Sequence, residues 1–141
     1  MRTVFVDTNV LIDFLADRQP FSNAAAKLFN YSLARKVKVY ISAVSYNNIY
    51  YILRQSLSNK QTLELLTELS EMTETVDVTK AVISNAIQSG FKDFEDAIQY
   101  HCALAMKDVE VIITRNSKDF KLSKMPVMAT DEFISLLESG H

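Results

Sequence analysis

A single cysteine, Cys102, excludes an internal disulfide, and its place among Ala and Leu on a helical stretch reads as a small buried hydrophobe. No run of residues is apolar for long enough to span a bilayer, and Met1 to Phe5 lacks the apolar core of a signal peptide. A cytoplasmic protein with no membrane partner is therefore expected. Positive charge is not in excess either. Lys and Arg number 15 against 17 Asp and Glu, a net charge of -2, so any binding to nucleic acid must rest on a local basic patch or on metal ions. Linkers, internal repeats and low-complexity tracts are missing too. The 141 residues, 48% of them hydrophobic, are expected to form one domain, 1–141, with an ample core. The histidines offer little: His101 follows core-like residues and suits packing or surface better than a ligand role, and terminal His141 gives nothing to argue from.

What is present is organised around the opening stretch. Thr3 to Val6 is β-branched or aromatic and reads as a short strand buried on both faces, ending at Asp7. Thr8 and Asn9 are helix-capping types, and Val10, Leu11, Phe14 and Leu15 recur at helical spacing, so strand turns directly into helix. In an open parallel sheet, ligands bind at such carboxyl ends.

The rest alternates helices and strands. A helix from Pro20 to about Lys36 is predicted to bury Ala24, Leu28, Phe29 and Leu33. Lys38 to Ile41 is a strand; Ser42 or Ser45 opens a helix to about Gln55; Ser58 caps another, with Leu63, Leu66 and Leu69 on its buried stripe. Thr75 to Val78 is a strand, and Thr79 starts a helix with Gly90 as its C-cap. Asp93 starts a helix to about Lys107, Val109 to Ile113 is a central strand, and Thr114 to Phe120 is a turn. Met125 to Met128 is a weak strand whose Pro126 suits a sheet edge, before a helix from Asp131 to Leu137. Four or five short strands separated by helices predict an α/β fold, a mostly parallel sheet covered on both faces.

Acids recur at one structural station. Asp7 follows the first strand, Asp119 follows the strand ending at Ile113, and Asp93 and Asp96 open a helix; all can face the carboxyl edge of the sheet. Gathered carboxylates repel one another and lose hydration, and a hard divalent cation is the usual compensation. Mg²⁺ or Mn²⁺ in such a pocket can activate water and neutralise a phosphodiester.

The opening strand with Asp7-Thr8-Asn9, the stretch from Ser42 to Ile49, Glu95-Asp96-Ala97, and Ile113 to Phe120 together resemble the PIN domain, in order and spacing over nearly the whole chain. The likeness is to small single-domain bacterial members, many of them toxins of VapBC-type toxin-antitoxin pairs. It implies a PIN-like fold, clustered acids binding Mg²⁺ or Mn²⁺, cleavage of RNA, a cognate antitoxin and a homodimer. Residue by residue, Asp7 matches the first metal-binding acid and Asn9 its polar neighbour, while Asp96 and Asp119 match the later acids. Asn48 stands where the family usually has glutamate, and Asn116 where another aspartate is common. An amide can coordinate through its oxygen but brings no negative charge and cannot act as a base.

Each residue also has a structural reading. Asp7 could cap the first helix, though Thr8 and Asn9 are available for that. Asp93 reads as a cap three residues before Asp96, which is then either its partner in a capping box or a ligand. Glu95, about 100° around the helix from Asp96, is expected in solvent. Asn47 and Asn48 are poor helix formers, so at least one should face the pocket. Thr114 either ends its strand or bonds a phosphate. Arg18, Lys27, Arg35, Lys36, Lys38 and Arg54 either flank the acidic cleft or are solvated; Tyr46, Tyr50 and Tyr51 either stack on bases or pack in a core or against another subunit. Two functions compete with the metal-dependent ribonuclease. A haloacid-dehalogenase-type phosphatase needs an acid where Asn9 stands, and a non-catalytic PIN module binding RNA or protein is motivated by Asn48 and Asn116.

Overall fold

The computed structural model describes residues 1–140; terminal His141 lies outside the described residues. Five strands, β1 (Arg2–Val6), β2 (Val37–Ser42), β3 (Glu74–Val76), β4 (Val111–Ile113) and β5 (Val127–Met128), form one sheet in the order β3-β2-β1-β4-β5. Every pairing is parallel. All but the β4–β5 crossover contain α-helices: α1 (Thr8–Leu15), α2 (Ser22–Leu33), α3 (Ala43–Leu53), α4 (Asn59–Met72), α5 (Lys80–Ile87) and α6 (Phe94–Ala105); α7 (Thr130–Glu138) closes the chain.

The period-two alternation of the strands sorts the core into two layers. Val4 and Val6 of β1, Val39 and Ile41 of β2, and Val111 and Ile113 of β4 face Leu11, Leu28, Phe29, Ile49, Leu69 and Phe133 from α1, α2, α3, α4 and α7. Phe5, Tyr40 and Ile112, the residues between them, face Val82, Ala86, Ile98 and Cys102 from α5 and α6. Helices thus cover both faces, and the first strand, with Val4, Phe5 and Val6 all fully buried, is the middle of the sheet.

Caps set most helix starts: Ser42 accepts from the Val44 N–H, Ser58 and Gln61 close a capping box, and Thr79 accepts from the Val82 N–H. At the sheet edge Pro126, which has no N–H to offer, accepts from the Ile112 N–H at 3.0 Å.

Several expectations change. The second helix starts at Ser22, because the Ser22 N–H closes a turn back to the Arg18 carbonyl that holds Pro20 outside the helix. Leu33 and Leu63 are exposed, at 65% and 47%: α2 and α4 outrun the layer they cover, so the helical period continues past the surface it can bury. The fifth helix ends at Ile87 with Gln88 as its C-cap, and Gly90, at φ 79°, instead turns the loop toward α6. The strand read from Val109 is trimmed to Val111–Ile113, and it lies beside the central β1. Within the Thr114 to Phe120 turn, Ser117–Phe120 forms one turn of 3₁₀ helix. No helix among the described residues is long and apolar enough to cross a membrane.

Candidate active site

A cavity of about 460 Å³ opens at the carboxyl ends of β1 and β4. Asp7, Asn9, Asn48, Glu95, Asp96, Asn116 and Asp119 line it, with Arg18, Tyr51 and Ile52 at its walls. Asp7 closes β1 by donating its N–H to the Ile113 carbonyl at 2.9 Å and starts α1 with its side chain, whose Oδ1 accepts from the Thr8 N–H at 2.8 Å. Its Oδ2 accepts from the Thr114 hydroxyl at 2.8 Å, and Thr114 Oγ1 accepts in turn from the Asn116 N–H at 3.1 Å. The carboxylate is therefore held on one oxygen by the start of α1 and on the other by the end of β4.

Burial pushes the Asp7 carboxyl up to about 6, against the lowering effect of its bonds to Thr114 and Thr8, with Glu95 and Asp119 adding repulsion. Asp96 is pushed up to about 7 by burial and then by Asp7, Asp93, Asp119 and Glu95. Glu95 rises through burial and Asp93, opposed by the Asn48 amide. The pocket thus crowds carboxylates that burial and mutual repulsion make hold their protons more tightly, with Arg18 as the cation in its lining.

Residues 3–118 match the PIN domain family. The chain belongs to the PIN domain family. The match takes in Asp7 and Asp96 and stops one residue short of Asp119. The chain is 30% identical over 135 residues to Ribonuclease VapC1 of Aquifex aeolicus, covering 92% of each. Its fold is similar to that of DNA-bound VapBC from Salmonella typhimurium (TM-score 0.69, 16% identity, 92% of this chain and 99% of that one). A toxin-antitoxin complex from Klebsiella pneumoniae is similar as well (TM-score 0.67, 21% identity, 90% and 97%).

This PIN domain departs from its sequence reading in several ways. Asp7 does cap α1, so Thr8 and Asn9 do not relieve it of that duty; cap and pocket residue are the same side chain. Asp93 caps α6 through the Asp96 N–H at 3.0 Å, but no reciprocal bond closes a box, which leaves the Asp96 carboxylate to the pocket. Glu95 is exposed, as expected, and also borders the same cavity, because the first turn of α6 points into it. Thr114 is fully buried and spends its hydroxyl on Asp7, which removes it as a phosphate contact. Asn48 reaches the cavity and Asn47 is exposed.

Of the basic residues in the first half, Arg18 lines the cavity; Arg35 and Lys38 lie at another cavity with Met1, and Arg54 donates to the Leu57 carbonyl. Tyr46 bonds Thr75 and Tyr50 bonds Asn59, whereas Tyr51, 65% exposed, stands at the cavity. His101 packs edge-on against Tyr100, and Cys102 is fully buried with its thiol pushed up by burial.

Two supports had no sequence signal. Behind Asp7, the fully buried Gln99 donates from Nε2 to Thr8 Oγ1 at 3.1 Å and Ser45 Oγ at 3.2 Å, and those hydroxyls share a bond of 2.7 Å. This ties α6, α1 and α3 together under the site. Beside it, Asp13, 1% exposed, meets Arg115 Nε at 2.8 Å, and the guanidinium lies 4.3 Å from the centre of the Phe21 ring.

Among the described residues no three or more Asp, Glu, His or Cys side chains stand close enough to enclose one ion. The donor set is all oxygen around an open cavity, which suits Mg²⁺ or Mn²⁺, since such ions are held by one or two carboxylates and several waters rather than by a full protein cage.

Proposed function

We propose that this PIN domain is an endoribonuclease of the VapC kind, the toxin of a toxin-antitoxin pair, acting on RNA in the cytoplasm. The observation that carries it is the cavity at the carboxyl ends of β1 and β4 where Asp7, Glu95, Asp96 and Asp119 face one another, in a chain 30% identical to a ribonuclease. The toxin assignment draws on the solved relatives, which include VapBC complexes and a Mycobacterium tuberculosis toxin described as cleaving the sarcin-ricin loop. A cognate antitoxin and a second copy of the chain are its protein partners.

Asp7, Asp96 and Asp119 would hold a divalent cation, one or two of them directly and the rest through water, with Asn9, Asn48 and Asn116 as neutral oxygen donors. A bound Mg²⁺ or Mn²⁺ supplies positive charge beside the scissile phosphate and lowers the pKa of a coordinated water. The chain's own groups do the rest. Thr114 and the Thr8 N–H fix the Asp7 oxygens, so that this carboxylate is aimed before substrate arrives. Asp93 places Asp96 by holding its N–H. Glu95 returns a carboxylate next to Asn48, where the family's glutamate is missing, and is one of the cavity carboxylates able to accept a proton from attacking water.

The second reading, a non-catalytic module, rests on Asn48 and Asn116 in the cavity. Incubating end-labelled single-stranded RNA with purified protein separates the two. The nuclease reading requires slow cleavage that EDTA stops and Mn²⁺ supports better than Mg²⁺. RNA that binds but yields no EDTA-sensitive product with excess protein over hours establishes the binding module instead.

A further inference from the structure

A second cavity, of about 310 Å³, adjoins the first and shares Asp96 and Asp119 with it. Its chemistry is different. Lys92, Lys118 and Lys121 line it, and Phe91 and Leu122 form an apolar wall. None of these lysines is in an ion pair among the described residues, where the pairs are Arg2–Glu110, Lys38–Asp108 and Arg115–Asp13. Asp93 also lines this cavity, so three carboxylates stand with the three lysines; one Asp93 oxygen is taken up in capping α6, and Asp96 and Asp119 belong to the first cavity as well.

The wall is rigid. Phe91 stacks on Tyr100 with ring centres 5.1 Å apart and meets buried Phe120 edge-on. The segment carrying Lys121 and Leu122 is pinned by the Ser123 N–H to the Phe120 carbonyl and by the Lys124 N–H to the Tyr100 hydroxyl, at 2.9 and 3.0 Å. Leu122 nevertheless stays 53% exposed. Three unpaired ammonium groups beside a fixed apolar surface, opening onto an acidic pocket, match the alternation of phosphate and base along a single strand.

We infer that this cavity is a nucleotide subsite, in which Lys92, Lys118 and Lys121 bind the RNA phosphates next to the scissile one while the flanking base or sugar lies on Phe91 and Leu122. The inference rests on the ribonuclease reading for its ligand. It also accounts for how a chain of net charge -2 keeps an RNA strand beside a cluster of carboxylates: the attraction is placed on one side of the cut.

The test is fluorescence anisotropy of a labelled single-stranded RNA in excess EDTA over a salt series, so that no turnover is needed. The variants are Lys92→Ala/Lys118→Ala/Lys121→Ala and, as a control of equal charge, Lys36→Ala/Lys60→Ala/Lys80→Ala, with thermal unfolding of each. Removing three phosphate contacts should weaken binding about tenfold or more and flatten the log Kd against log salt slope by about 2, at roughly 0.7 per contact. The control should stay within about twofold of the wild type, and Lys→Arg at the three positions should restore binding. Wild-type affinity and slope in the cavity variant overturn the subsite while leaving the ribonuclease reading intact, as does an equal loss in the control. Failure of the wild type itself to bind RNA in EDTA overturns the subsite and turns the lysines toward an acidic protein partner, while the ribonuclease reading is decided separately by the EDTA-sensitive cleavage assay.

Discussion

Replacing Asp7 by Asn should stabilise the metal-free protein at neutral pH and reverse that advantage in acid. Asp7 is 6% exposed, and burial raises its carboxyl from 3.8 to about 6 despite the bonds from Thr114 and Thr8. A folded-state pKa above the unfolded one means that the folded protein holds the proton more tightly. The group's contribution to stability is therefore complete below the unfolded value and is lost as pH rises through about 6. Fully ionised, a carboxyl moved that far costs on the order of 3 kcal/mol. Asn avoids that cost and keeps an oxygen for the Thr8 N–H, but its NH₂ meets the Thr114 hydroxyl, which must then accept, forfeiting about 1 kcal/mol. The net gain should be about 2 kcal/mol at about pH 7.5, or roughly 4–8 °C in Tm. Near pH 4, where the unfolded aspartate is itself half protonated, it should vanish or turn slightly negative. Urea denaturation of both proteins in EDTA at the two pH values measures this. A variant less stable than wild type at neutral pH, or a difference that ignores pH, refutes the reasoning that Asp7 is a strained, buried carboxylate.

Asn48→Glu adds a hard anionic ligand, so calorimetric titration should show Mn²⁺ binding several-fold tighter, with metal-free stability lowered by about 1 kcal/mol through added repulsion from Glu95. Arg115→Ala strands the buried Asp13 carboxylate and should cost about 3 kcal/mol by urea denaturation; adding Asp13→Asn should recover most of it. Gln99→Leu should cost about 1 kcal/mol, because Thr8 and Ser45 keep their mutual bond and the unpartnered Gln99 Oε1 is removed as well. The same measurement on Gln99→Glu should show a larger loss, since a charge is then buried without a partner.

What could be read from residues alone was whatever is local. An apolar run ended by Asp7 marks the carboxyl end of β1, and Ser58, Thr79 and Asp93 announce helix starts that the structure places where they stand. The parallel sheet followed from helices between the first four strands, with only a turn before the last. What could not be read depends on distant partners. Gln99 is 91 residues from Thr8 and 54 from Ser45, and nothing near any of them signals the bond. Glu95 is exposed, as its rotation from Asp96 implies, but that rotation could not show that it also borders the cavity, because at the first turn of α6 both faces meet the space beneath the helix end. The lysine cavity has no local signature, because Lys92 belongs to the loop before α6 and Lys118 and Lys121 to the turn after β4, far apart in sequence.

The central claim is that one acidic cavity both holds the cation and cleaves RNA. Single-turnover cleavage of labelled single-stranded RNA in Mn²⁺ tests it most directly, comparing wild type with Asp7→Asn, Asp96→Asn, Asp119→Asn and Glu95→Gln, each checked for folding by circular dichroism. Each aspartate variant should lose roughly 100-fold or more and Glu95→Gln less, with every variant folded. Near-wild-type, EDTA-sensitive cleavage by a folded Asp7→Asn or Asp96→Asn protein contradicts the claim.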